Sequence, residues 1–129
     1  MPKVNLDIRT LNATDFYPFK FTYSKLAMTA HILYSKIDSK NVSTFSKKII
    51  NGIIRKKIGY TGIIMSDDIS MKALKYDLIT NAKKSLLAGC NLVLYCSGNI
   101  KDNLKLIKSV PYIDQFTAKK TSEIYKILS

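Results

Sequence analysis

Apolar residues gather along this chain in short uninterrupted runs, separated by longer stretches in which they recur at helical spacing. Leu26 to Leu33 is apolar apart from Thr29 and His31, which alternate as the inward-pointing residues of a buried strand do. Gly59 and Gly62 bracket a turn, and Ile63, Ile64 and Met65 then form a second run that ends abruptly in Ser66, Asp67 and Asp68. Asn91-Leu92-Val93-Leu94-Tyr95-Cys96 forms a third. Runs of this length, bounded by turn residues, read as strands buried on both faces, as in a parallel sheet.

The intervening stretches read as helices. Ser43 is placed to cap a helix whose apolar positions Phe45, Ile49, Ile50, Ile53 and Ile54 share one face, with Lys47, Lys48, Arg55, Lys56 and Lys57 on the other and Gly59 to end it. Residues 71–89 are mainly helical by Leu78, Ala82, Leu86 and Leu87, with a break near Tyr76-Asp77, Asp77 as a cap, and Gly89 as the stop. Leu6, Ile8, Leu11, Phe16 and Phe19 give a roughly helical lead-in. Ile100 to Val110 is a further helix stopped by Pro111, and Ile113 to Leu128 a last one that carries the only glutamate, Glu123. Strand, helix, strand, helix, strand, helix predicts an α/β fold with a parallel sheet and right-handed crossovers. A closed (β/α)8 barrel takes roughly 200 residues or more. The 129 residues here form one domain of about three such units.

Charge changes the picture little. Twenty-one Lys+Arg against nine Asp+Glu give a formal net charge of +12, which raises nucleic acid or an anionic surface as a partner. The lysines are scattered, however, and no aromatic residues alternate with them as a stacking platform requires, so a solvated surface is expected and no nucleic acid. No run is long enough to span a bilayer, and the start Met1-Pro2-Lys3-Val4-Asn5 lacks the apolar core of a signal peptide; the expectation is a cytoplasmic protein without membrane contact. Cys90 and Cys96 read as reduced thiols and, with no further ligand to complete a set, not as a metal pair. Neither a glycine-rich phosphate loop nor a dinucleotide fingerprint is present.

The candidate chemistry lies at the end of the second strand. In α/β folds, ligands and catalytic groups gather at the C-terminal ends of strands. By residue type alone, Asp67 and Asp68 read more readily as caps of the next helix. Gly59-x-x-Gly62-x-x-x-Ser66-Asp67-Asp68-x-x-Met71, however, resembles the nucleophile motif of bacterial β-N-acetylhexosaminidases of glycoside hydrolase family 3. Met28-Thr29-Ala30-His31-Ile32 and Ala88-Gly89-Cys90-Asn91-Leu92-Val93-Leu94 resemble the strands on either side of it, so the likeness covers most of residues 4–98 in order.

The resemblance implies a retaining hydrolysis of terminal β-linked N-acetylglucosamine, as in peptidoglycan recycling, with Asp67 as the attacking carboxylate and neither metal nor organic cofactor. Ser66 and Met65 flank Asp67 and are expected to line the pocket. His31 is expected either to contact the sugar or to orient Asp67, with a hydrogen-bonded core histidine as the equal alternative. The resemblance places the chain as a C-terminal fragment of the enzyme, a partial TIM barrel of about three βα units that holds strands six to eight. The family's acid/base histidine loop, which lies upstream of the nucleophile, has no counterpart here. The chain is then a truncated remnant or one part completed by a separate N-terminal piece, whose partner is an N-acetylglucosamine-containing glycoside. A small basic binding module for nucleic acid or cell-wall fragments, without catalysis, is the alternative. Open sheet edges invite self-association.

Overall fold

The computed structural model describes residues 1–128. Five strands and four α-helices follow one another along the described residues: β1 (Lys3–Val4), α1 (Ile8–Ala13), β2 (Leu26–Met28), β3 (Leu33–Tyr34), β4 (Ile63–Asp68), α2 (Leu78–Ala88), β5 (Leu92–Leu94), α3 (Ile100–Ser109) and α4 (Gln115–Leu128). A wide helix with i→i+5 bonding, Lys48–Lys57, connects β3 to β4. The main sheet has the order β2-β4-β5 and is parallel throughout. The expected α/β architecture is therefore present as an open three-stranded sheet.

The long first strand divides in two. Leu26, Ala27 and Met28 pair with Ile63, Ile64 and Met65, whereas Leu33 and Tyr34 pair with Lys3 and Val4 in a separate parallel ribbon. Between them the chain turns off the ladder so that Thr29 and His31 enter the interior, where their polar groups have partners. The helix expected from Ser43 begins five residues later. Ser43 instead opens a short 3-10 turn, Ser43–Phe45, and its hydroxyl donates to the Ala30 carbonyl. Competition from that carbonyl is why Ser43 does not cap the helix.

The wide helix buries Ile49, Ile50 and Ile53 and exposes Lys48, Asn51, Lys56 and Lys57, as its spacing predicts, but Arg55, expected on the exposed face, is half-buried. Ile50 packs with Ile64, Tyr60, Ala88 and Cys90, which binds this helix and α2 to one face of the sheet. Gly89 ends α2 with φ 117°, and a Cβ there would meet Asn51 Oδ1 at 2.8 Å and Ile50 Cγ2 at 2.9 Å. The residue is glycine because the two helices touch at that point. A second cluster, Val42, Ile69, Leu74, Ala82 and Leu106, packs α2 and α3 over the sheet. Asp77 caps α2 by accepting from the Thr80 amide at 3.0 Å, as expected.

Arg55 ties the start of β4 to its neighbours. One guanidinium nitrogen donates to the carbonyls of Tyr60 (2.9 Å) and Gly62 (2.6 Å), and the other to Asn91 Oδ1 at 2.7 Å. Asn91 in turn accepts from the Ile64 amide at 2.9 Å and donates to Thr117 Oγ1 at 3.0 Å, joining β4, β5 and α4.

On the sheet the uncovered surface lies mainly on β2. Leu26 is 41% and Met28 51% exposed, while Ile63 and Ile64 are fully buried and Met65 is half-buried. An apolar cavity of about 430 Å³ runs along all of β2 between Phe16, Tyr34, Ile49 and Ile53. Among the described residues, no helix is long and apolar enough to cross a membrane.

Candidate active site

Ser66, Asp67 and Asp68 close β4, and the structure gives each a different task. Ser66 is fully buried, and its hydroxyl accepts the Leu94 amide at 3.0 Å. The hydrogen bond falls where the β4–β5 register slips: Met65 pairs with Leu92 but Asp68 with Leu94, three residue steps against two. Ser66 fills this bulge by supplying the acceptor that the ladder lacks there. It is a strap inside the sheet rather than a wall of a pocket.

Asp68 is held on all sides. Its Oδ1 accepts from the Ser70 amide (3.0 Å), the Ser70 hydroxyl (2.8 Å) and the Cys96 amide (3.3 Å). Burial pushes its pKa up, but the bonds from Ser70 and Cys96, with a smaller contribution from the His31 charge, outweigh it and leave the carboxyl below the ordinary value. Asp68 therefore pins the strand end to the loop after β5.

Asp67 lies between these two anchored residues and is half-exposed. Its Oδ1 accepts from the Asp68 amide at 2.8 Å, and no Lys or Arg forms an ion pair with it among the described residues. Met65 and Asp67 are half-exposed with buried Ser66 between them, the two-residue period of a strand that turns Met65 and Asp67 to one side.

His31 is 4% exposed and both ring nitrogens are engaged. Nε2 contacts the Asp68 carbonyl at 2.9 Å, and Nδ1 contacts Thr44 Oγ1 at 2.8 Å. Thr44 is itself within 2.9 Å of Thr29 Oγ1. Of the two alternatives open for His31, the geometry matches the hydrogen-bonded core histidine, one that braces the peptide next to Asp67. The signal for this in the sequence was the alternation of Thr29 and His31. Their partner Thr44 carried none, because it lies on a turn read as the first part of a helix.

Among the described residues no three His, Cys, Asp or Glu side chains converge on a point that could hold a metal ion. The cavity along β2 includes Met28, Thr29 and Ala30 but neither Asp67 nor Asp68.

An open parallel α/β sheet whose central strand ends in carboxylates defines the class: an α/β protein of barrel type. The chain belongs to glycosyl hydrolase family 3: the family's N-terminal domain matches residues 1–122. The β-hexosaminidase of Actinobacillus succinogenes is 36% identical over 111 residues, which cover 78% of this chain and 32% of that protein. The Haemophilus influenzae β-hexosaminidase is 38% identical over 109 residues, 76% of this chain and 31% of its own length. NagZ from Neisseria gonorrhoeae, solved with N-trifluoroacetyl-D-glucosamine, superimposes with a TM-score of 0.82 at 26% identity over 95% of this chain and 35% of that one. CbsA from Thermotoga neapolitana does so with 0.78 at 26% identity over 99% and 32%. The chain thus spans about a third of the length of the relatives it matches.

The match to the N-terminal domain corrects the expectation of a C-terminal fragment, and the assignment of these strands as the sixth to eighth falls with it. The physical reason is the near-equivalence of βα units. Strand–helix alternation fixes the order and direction of units, but gives no absolute count from the start of a barrel.

Proposed function

We propose that these residues supply the nucleophile of a retaining β-N-acetylglucosaminidase, with Asp67 as the attacking group. The observation that carries the reading is the half-exposed Asp67 carboxylate, held by the Asp68 amide between two residues whose own side chains are spent on the fold. The β-hexosaminidase relatives support the substrate class.

In the first step an Asp67 oxygen attacks the anomeric carbon as the bond to the leaving oxygen breaks, giving a covalent glycosyl ester. In the second, water attacks the same carbon and releases Asp67 as the free carboxylate. Two inversions give net retention. His31 is not available to protonate the leaving oxygen, because both of its ring nitrogens are engaged in the interior. In this reading Met65, on the same side of β4 as Asp67, contacts the sugar. Ser66 acts only through the strand.

General acid–base help is worth about 10²–10⁴-fold. The 129-residue chain alone is therefore expected to release 4-nitrophenol from its N-acetyl-β-glucosaminide no faster than buffer. Release by the chain alone, abolished in Asp67→Asn, overturns the partial-site reading and keeps the nucleophile. Completing the barrel with the rest of a relative's domain and adding a fluorinated glycoside with an activated leaving group should place one sugar on the peptide that contains Asp67. A sugar on any other residue overturns Asp67.

A further inference from the structure

We infer a second site in this protein, a basic pocket that binds a phosphate group between Lys20, Lys25 and Lys120, at the opposite end of β4 from Asp67. The pocket has a volume of about 120 Å³ and is bordered by Tyr23 and the turn Gly59 to Gly62. A six-residue strand rises about 3.3 Å per residue, so roughly 15–20 Å separate it from the carboxylates.

Three segments contribute the three lysines to the lining: the 3-10 turn Pro18–Phe21, the approach to β2, and α4. Lysines far apart in sequence, which read there as a scattered solvated surface, are brought to one concavity by the fold. Lys120 is the most covered, with its side chain 30% exposed. The only carboxylate in the lining is Glu123, which accepts from Lys120 Nζ at 2.9 Å. Its pKa lies below the ordinary value, first through that bond, against a smaller burial effect, and then through the charges of Lys120, Lys119 and Lys25. The local field is thus positive with Glu123 in place: three ammonium groups against one carboxylate leave a formal charge of +2.

A small, strongly hydrated dianion suits this lining better than a carboxylate ligand does. Ammonium groups act as compact point charges with freely rotating donors, and a tetrahedral oxyanion offers oxygens in three directions at once. The Lys20 ammonium lies 5.8 Å over the Tyr17 ring, just outside the lining.

The test is a titration of the full chain with inorganic phosphate at constant ionic strength, followed by the amide resonances of Gly59, Thr61 and Gly62. A parallel titration with glycerol 3-phosphate distinguishes a free anion from a phosphomonoester as the ligand. Saturable shifts with either probe, weakened about tenfold in Lys120→Ala, are expected, since one charge-assisted contact is worth about that factor. Equal shifts with chloride, or an unchanged affinity in Lys120→Ala and Lys25→Ala alike, overturn the site. Should the lysine variants not fold, Glu123→Gln decides, because it removes only the competing carboxylate: tighter phosphate binding supports the site and unchanged binding overturns it.

Discussion

His31 Nε2 lies 2.9 Å from the carbonyl oxygen of Asp68, a residue 37 positions further along the chain. A carbonyl can only accept, so Nε2 carries the proton. Nδ1 faces the Thr44 hydroxyl, which also lies within hydrogen-bond distance of Thr29 Oγ1 and of the Ala30 carbonyl. The Nε2 proton and the position of the Asp68 peptide are linked by the Nε2 bond.

Replacement of His31 by alanine removes the partner of the Asp68 carbonyl, while the Thr44 hydroxyl keeps Thr29 and the Ala30 carbonyl. A group orphaned in this way costs about 1–3 kcal/mol, and the cavity adds to it. His31→Ala should lower stability by about 2–4 kcal/mol, read from the urea midpoint. A loss under about 1 kcal/mol would show that the Asp68 peptide does not depend on His31.

The two cysteines should behave as different groups. Cys90 is buried, and burial pushes its thiol up to about 12. Cys96 is exposed at the end of β5. A thiolate-specific reagent at pH 8 should titrate one thiol promptly and the second only after denaturant is added. Two fast thiols would mean that the interface between the wide helix and α2 opens freely.

Arg55 should resist its conservative replacement. Its fork reaches two carbonyls and Asn91 at once, and its plane lies 5.7 Å from the Tyr60 ring and 5.6 Å from Phe116. A lysine has no planar fork to span those positions. Arg55→Lys should therefore lose about 2–4 kcal/mol. Arg55→Met should lose a similar amount, since it keeps the stem and orphans the same acceptors. Thermal unfolding of the two variants side by side checks this, and full stability in the lysine variant refutes it.

The contrast between Ile64 and Arg55 shows what could be read without coordinates. The run Ile63–Met65, the helical spacing of Ile49, Ile50 and Ile53, and the stops at Gly59 and Gly89 are local signals, each decided within one or two turns of chain. They gave the strands and helices, and the motif at Asp67 gave the family. The split of the first strand was not legible, because it depends on Lys3 and Val4 pairing with Leu33 and Tyr34, a non-local choice. Nor was the wide helix, where the apolar spacing is the same whether the bonds run to i+4 or i+5. Ser66 read as a pocket residue for a similar reason: its position beside Asp67 was visible, but the bulge that consumes its hydroxyl belongs to the pairing of β4 with β5. Thr44 and Arg55 matter through distant partners, and neither belongs to a recognisable motif.

Stability should depend on acid through Asp38, which holds the loop that carries Thr44. Asp38 is buried, 8% exposed, and its Oδ2 accepts from Ser46 Oγ at 2.7 Å while Oδ1 accepts from the amides of Lys40 and Asn41 at 3.1 Å each. Burial alone raises its pKa, but these bonds together outweigh it and leave the carboxyl below its ordinary value. The unfolded chain then binds this proton more readily than the folded one. The stabilisation is therefore present above the unfolded carboxylate value of about 4, and is lost as pH falls through the lower folded value. Asp38→Asn should be less stable than the parent at pH 7, by about 1–3 kcal/mol, because an amide presents an N–H where Ser46 or the loop amides need an acceptor. At pH 3 the gap should narrow, since the parent loses part of its advantage and the variant has no such proton to bind. The other carboxylates with lowered values, Asp68 and Asp77 among them, are common to both proteins and cancel in the difference. Urea midpoints of the two proteins at pH 7 and pH 3 provide the comparison. A gap that stays constant across that range would show that Asp38 is protonated no differently in the folded and unfolded chains.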